Sequence, residues 1–319
     1  MLLFSLDPEC RLAPALADAL DETLAPHEDR SFGDGEHKYR PVVDPRGADA
    51  YVVGSLHGGP IDSPHDKLLR LLMFAGALRE HGAARVTAVV PYLAYARKDR
   101  RTKPFDPVSL RYLAQLVEAM GVAQVIVLEA HNVAAFENAF RCTTLHLPAH
   151  RAFDGVVHEL VGDAPVAVAS PDPGGVKRAQ LWRESLGERL GRPVGFAMVD
   201  KRRSAGLVSS GSLVAGDVRD MTVLLLDDLI ASGDTMKRAA HALHQAGARE
   251  VIACAAHGLF TGPAPDLLAD AALRQVLVTD SVPPFRLPAA GAVSRKLRIV
   301  SCVPLIAQAI RDCRDSWAR

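Results

Sequence analysis

The chain lacks any excess of charge of one sign: 37 Lys and Arg stand against 37 Asp and Glu in 319 residues. That excludes a general nucleic-acid or membrane-surface binder, which needs a basic surplus, but not a local basic pocket. Long apolar runs are missing too. No stretch approaches the ~18 residues that a membrane-spanning helix requires. The opening MLLFSLDPECRL has no basic segment followed by an apolar one, so no secretory leader is expected. Cysteine is sparse and unpaired: Cys10, Cys142, Cys254, Cys302 and Cys313 form no CxxC. An odd number of scattered thiols argues against a disulfide framework and fits a reducing cytoplasm, with each Cys a small buried apolar residue. Tandem repeats and low-complexity tracts are also absent.

What is present is enough apolar material, 49%, for two cores. A chain this long exceeds most single cores. Short apolar, β-branched runs are read as strands at 2–6, 51–56, 86–90, 124–128, 166–170, 194–199, 223–226, 251–255, 275–279 and 298–302. Helical spacing is read at 66–81, 108–120, 175–190, 235–246 and 304–314. The alternation predicts an α/β fold of two domains, each a mainly parallel sheet flanked by helices. Pro and Gly clusters at 148–155 and 162–165 place the boundary near 150. Domains 1–148 and 149–319 are expected, with the last helix (304–315) packing back on the first.

In such sheets ligands sit at the carboxyl ends of the strands, and those ends are rich in polar residues here. The segment VLLLDDLIASGDTM (223–236) ends a strand in Asp227 and Asp228, then turns through Ala231, Ser232, Gly233, Asp234 and Thr235 into a helix. Backbone N–H groups and hydroxyls at a helix start bind a phosphate monoester, and paired acids hold sugar hydroxyls or hydrated magnesium. An ordinary capped turn is the plainer reading, and the two acids argue against it. Asp172, Gly174 and Gly175 form a second Gly-rich strand–helix turn, followed by Lys177 and Arg178. It is suited to a diphosphate, or else the acid is only a cap. DKRR at 200–203 is either a solvated turn or a pair of cations beside a reacting phosphate.

These motifs occur in a telling order. SFGDGE (31–36) resembles an F-x-D-G-E segment, PYLAYARKDRR (91–101) a P-Y-x-x-Y-A-R-Q-D-R stretch, and SPDPGGVKRA (170–179) an S-P-D-x-G-G-x-x-R-A turn. With DKRR, the 223–236 loop and the tail IVSCVPLIAQAI, they resemble the phosphoribosyl pyrophosphate synthetase family along almost the whole chain.

That resemblance implies two phosphoribosyltransferase-type domains. It also implies a ribose-phosphate diphosphokinase that moves the β,γ-diphosphoryl group of ATP to O1 of ribose 5-phosphate with Mg2+. The expected roles are Lys201 and Arg203 in catalysis, and Phe32, Asp34, Gly35, Glu36, Arg97, Lys98 and His131 around ATP. Asp172, Gly174 and Gly175 form the diphosphate loop, Asp227, Asp228 and Ala231–Thr235 hold ribose 5-phosphate, and His131 and Asp172 hold the metal. Arg97 and Phe32 are suited to sandwich a purine. In the family the F-x-D-G-E segment reaches a neighbouring subunit's ATP, which implies a dimer-based homo-oligomer such as a hexamer. Lys98 stands where the family has Gln, Ala231 where it has Asp, and Asp234 where it has Gly. A phosphoribosyltransferase, or a non-catalytic partner of a true synthetase, is the alternative.

Overall fold

The computed structural model describes residues 1–7, 11–201, 212–288 and 295–317. Cys10 and Arg203 therefore lie outside the described residues, as do Arg202 and most of the small-residue stretch after it. The chain divides into two compact units, residues 1–148 with 303–319, and residues 149–302. The expected α/β class holds in both.

The first unit is built on five parallel strands in the order β1 (Leu2–Ser5), β4 (Asp49–Val53), β5 (Arg85–Val90), β6 (Gln124–Leu128) and β7 (Thr143–Leu147). Chain order matches sheet order from β4 onward, so right-handed crossovers drop α2 (Pro64–Glu80), α3 (Ser109–Ala119) and α4 (Val133–Ala139) on one face. There Leu71, Phe74, Leu113 and Phe136 pack against Phe4, Val52 and Val90. Ser63 and Asp66 close a capping box at the start of α2.

The other face needs separate cover. After β1 the chain passes through α1 (Leu12–Ala19) and steps the opposite way, forming a parallel bridge between Leu3 and Leu24. A right-handed step in that direction puts α1 on the opposite face. The C-terminal helix α9 (Val303–Trp317) lies beside it: Arg314 pairs with Glu22 at 3.2 Å. Gln124 of β6 donates to Cys313 Sγ at 3.2 Å, and Ile306 and Ile310 are buried.

A hairpin of β2 (His27–Ser31) and β3 (His37–Pro41) stands beyond the sheet. Neither strand has the apolar alternation that marks strands in sequence. Cross-strand ion pairs join them, Lys38 and Arg40 with Glu28 at 2.8 and 2.9 Å. Arg70 of α2, nearly buried, ties the hairpin down through Asp29 at 3.1 Å.

The second unit has a seven-stranded sheet in the order β10 (Ser212–Ala215), β9 (Gly195–Lys201), β8 (Val166–Ser170), β11 (Thr222–Ile230), β12 (Glu250–Gly258), β13 (Gln275–Thr279) and β14 (Leu297–Val300). All neighbours are parallel except β10 with β9. From β8 the chain first moves one way to β9, then returns to the other side of β8 as β11. Helices α5 (His150–Val161) and α6 (Val176–Leu190) accordingly cover one face around Trp182. Helices α7 (Asp234–Gln245) and α8 (Ala264–Ala269) cover the other around Leu243 and Leu267.

Two sequence expectations shift. β11 does not stop at Leu226: its ladder runs on through Asp227 opposite Ala255 and Leu229 opposite His257. The acids interrupt the apolar run, but backbone pairing carries the strand past them. The 148–165 stretch, read as a Pro/Gly boundary, contains α5, whose buried Phe153, Val157 and Val161 recur at helical spacing despite Gly155.

Candidate active site

The reversal of strand order in the second unit creates a switch point between β8 and β11, where parallel sheets leave a crevice at their carboxyl ends. Two of the sequence motifs leave the sheet at this point. From β8 the chain passes through Ser170, Pro171 and Asp172 into a 3-10 turn, Pro173–Gly175, and then α6. From β11 it passes through Asp227 and Asp228 to the Ala231–Gly233 turn and then α7. Arg178 links them, its Nη1 3.7 Å from Asp227 Oδ1.

The acidic pair is electrostatically tense. Asp227 is pushed well above the ordinary carboxyl range by burial and by Asp228 beside it, with Arg178 opposing the shift. Asp228 itself is 5% exposed. Its backbone N–H donates to Asp227 Oδ1 at 2.9 Å.

The Gly-rich turn is held from within. Asp172 Oδ1 accepts from the N–H groups of Gly174 and Gly175 at 2.9 and 3.3 Å. The amides read as a diphosphate cradle thus bind the chain's own carboxylate here. A diphosphate can use them only after Asp172 turns away. Gly175 is required sterically, since a Cβ there would sit 2.6 Å from Ser170 Oγ.

At the other turn Gly233 has φ 86°, and a Cβ would meet the Leu267 side chain at 2.8 Å. The Ser232 hydroxyl donates to Asp234 Oδ2 at 2.8 Å. Asp234 is exposed in the first turn of α7, where a carboxylate suits the helix dipole. Thr235 follows it in the same turn. Lys201 ends β9, the neighbour of β8.

In the first unit the expected nucleotide residues fall into two groups. The loop after β5 and the loop after β6 are joined by Asn132, which donates to Asp99 at 2.7 Å and caps α4 by accepting from Ala135 N–H. This brings the segments bearing Arg97 and His131 together, and both side chains are exposed. Lys98 is committed elsewhere. It donates to Asp106, which also takes the Thr102 N–H and hydroxyl and the Lys103 N–H. These bonds hold the Asp106 carboxyl well below its usual range, that from Lys98 first. Lys98 therefore braces the 98–106 loop.

Phe32, Asp34, Gly35 and Glu36 form the second group, the exposed tip of the β2–β3 hairpin. Glu36 N–H donates to Asp34 Oδ1 at 3.1 Å, and Gly35 supplies a φ of 94°. The Arg30 guanidinium lies over the Phe32 ring, 5.3 Å from its centroid.

Among the described residues no group of three or more His, Cys, Asp or Glu is gathered as a metal cage. The two expected ligands fall in different units, His131 in the first and Asp172 in the second. Asp172 has one oxygen committed to backbone amides, and this donor set fits only a cation that keeps most of its water or takes oxygens from phosphates, as Mg2+ does. Of the positioning residues, Arg178 was read from sequence only as charge beside the Gly-rich turn, and Asn132, Asp99 and Asp106 went unassigned. Asn132 before a helical run is the one that cap rules signal.

Both units resemble known proteins. Residues 1–121 match the family profile described as the N-terminal domain of ribose phosphate pyrophosphokinase. Residues 209–317 match the phosphoribosyl synthetase-associated domain. The chain is 34% identical over 311 residues to a ribose-phosphate pyrophosphokinase of Caldanaerobacter subterraneus, covering 97% of this chain and 93% of that one. It is 31% identical over 308 residues to that of Bacillus subtilis, covering 97% and 92%. A crystal structure of phosphoribosylpyrophosphate synthetase from Mycobacterium smegmatis superposes with a TM-score of 0.85 at 32% identity, covering 99% of each chain. Near-complete coverage at this identity leaves one assignment: the chain belongs to the ribose-phosphate pyrophosphokinase family.

Proposed function

We propose that the protein is a ribose-phosphate diphosphokinase, converting ATP and ribose 5-phosphate to AMP and 5-phosphoribosyl 1-diphosphate. The observation that carries this is the switch-point pair of turns in the second unit, which sets two acids, Arg178 and a helix start at one crevice. In this reading the sugar O1 attacks the β-phosphorus of ATP, the bond to the α-phosphate oxygen breaks, and AMP leaves. Such transfer depends on positioning and charge stabilisation.

The residues divide the work. The Ala231–Thr235 turn grips the 5-phosphate, Ser232 exchanging Asp234 for a phosphate oxygen. Asp227 and Asp228 hold the ribose hydroxyls. Asp172, Gly174 and Gly175 meet the diphosphate once the carboxylate turns outward. The first unit takes ATP through Arg97 and His131, with Lys98 acting through its loop. Lys201 and Arg203 stabilise charge on the reacting phosphates. Bound Mg2+ would neutralise phosphate charge, with His131 and Asp172 holding it directly or through water. In this reading the exposed hairpin tip with Phe32, Asp34, Gly35 and Glu36 reaches a second copy of the chain, and the working form is a dimer-based oligomer in the cytoplasm. No helix among the described residues is long and apolar enough to cross a membrane.

The test is product identity: purified protein with Mg2+, ATP and ribose 5-phosphate should release AMP in step with sugar diphosphate. ADP in place of AMP would mean ordinary γ-phosphoryl transfer, and no turnover would favour a binding partner. Lys201→Ala should lower kcat by about 10²–10³ with little change in either KM; an unchanged kcat would remove Lys201 from the mechanism.

A further inference from the structure

Where β6 ends, the chain must travel from core to surface in two residues. Ala130 is 2% exposed, yet His131 is exposed. The residue that makes this turn is Glu129, in the left-handed region with φ 49°. Glycine is the default for such a backbone, and a side chain there is strained. Glu129 is also an unusual residue to bury, with its side chain 4% exposed. Both oddities fall on one residue, two positions before an expected site residue.

The surroundings over-determine the turn, as persistent strain requires. On the strand side Glu129 N–H still donates to Leu147 C=O of β7 at 2.9 Å. On the loop side Asn132 is fixed by its cap on α4 and by Asp99. Across the sheet His146, opposite Val127 on β7, brings its Nε2 to 3.7 Å from Glu129 Oε1. That nitrogen is buried and has no hydrogen-bond partner. The gap is too long for a hydrogen bond. Tyr95, in the loop that carries Arg97, is likewise a left-handed non-glycine residue, with φ 63°. Both nucleotide-facing loops of the first unit thus contain such a turn.

We propose that Glu129 is a positioning residue, its buried carboxylate facing His146 and setting the left-handed turn that aims His131 at the nucleotide. This deepens the diphosphokinase reading and rests on it for the ligand's identity. Groups that act through another residue in this way are worth about 10–100-fold in affinity or activity.

Two variants separate positioning from stability. Glu129→Gly relieves the backbone and removes the carboxylate; Glu129→Gln keeps the volume and removes the charge. Each should fold with a thermal midpoint close to that of the parent. Each should raise the KM for Mg-ATP about tenfold or more, with the KM for ribose 5-phosphate unchanged. In ligand-free protein labelled on histidine, the His131 imidazole resonance, assigned through His131→Gln, should move or broaden in both variants. If Glu129→Gly fails to fold, Glu129→Gln still decides. An unmoved His131 resonance, an unchanged Mg-ATP KM, or an equal rise in both KM values alongside a fallen midpoint would overturn the proposal. Absence of turnover by the parent protein would defeat the diphosphokinase reading instead, and the ligand-free resonance would still report on Glu129.

Discussion

At the scale of single residues, the cost of the site is concentrated in Asp227. Its folded pKa stands above its unfolded one, so the fold binds that proton more tightly than the unfolded chain does. Stability from this group is therefore greatest below the unfolded value, near ~3.9, and declines as pH rises through the folded value. At neutral pH a carboxyl buried here beside Asp228 is a burden on the fold. Asp227→Asn should therefore melt at a higher temperature than the parent at pH 7 to 8, and the difference should shrink as pH falls toward ~4. The same variant should raise the KM for ribose 5-phosphate by about 10–100-fold, the worth of a lost charged hydrogen bond. A variant that is no more stable at neutral pH would show that Arg178 fully compensates the pair. The residue scale also shows contacts that the motifs did not signal. Lys98 and Phe32 were assigned to nucleotide by position in a motif, and each also has a neighbour in the chain, Asp106 and Arg30. Those partners are eight and two residues away, and no pattern in sequence marks them.

At the scale of elements, turns decide more than strands do. The phosphate turn depends on Gly233, which combines φ 86° with close packing on Leu267 of α8. Gly233→Ala should cost about 1–2 kcal/mol for the left-handed backbone alone, with a further loss from the clash. It should raise the KM for ribose 5-phosphate more than that for ATP, measured by AMP release; equal effects on both would argue that the turn does not hold the sugar phosphate. Most strands of both sheets were legible because doubly covered parallel strands read as continuous apolar runs, and 124–128, 166–170 and 275–279 coincide with β6, β8 and β13; the edge strands β7 and β10 were not among the expected strands. The β2–β3 hairpin was not legible, because its residues are charged and its pairing depends on Glu28, Asp29 and the distant Arg70. Helix α1 was missed because LAPALADA is short and carries a proline in its first turn, where the missing N–H does no harm.

At the scale of the whole molecule, the notable device is that the last helix belongs to the first unit. A sheet whose crossovers mostly step one way leaves its other face bare, and α1 alone is too short to cover five strands. Helix α9 supplies the rest through Ile306 and Ile310. Ile310→Ala should therefore destabilise the protein by about 2–5 kcal/mol, seen as a lowered urea midpoint by circular dichroism, although the residue lies far in sequence from every strand it covers. An unaffected midpoint would mean that the helix is an accessory.

The sequence by itself determined the α/β class, the positions of the inner sheet strands, and the order of motifs that marks the family, because burial and turn chemistry are written in local residue types. Only the tertiary structure decided which strand ends meet at the β8–β11 switch point, that Asp172 occupies its own amide cradle, and that Glu129 turns left-handed with its carboxylate near His146. Those outcomes depend on pairings between residues distant in the chain, and a local pattern carries no record of its partner.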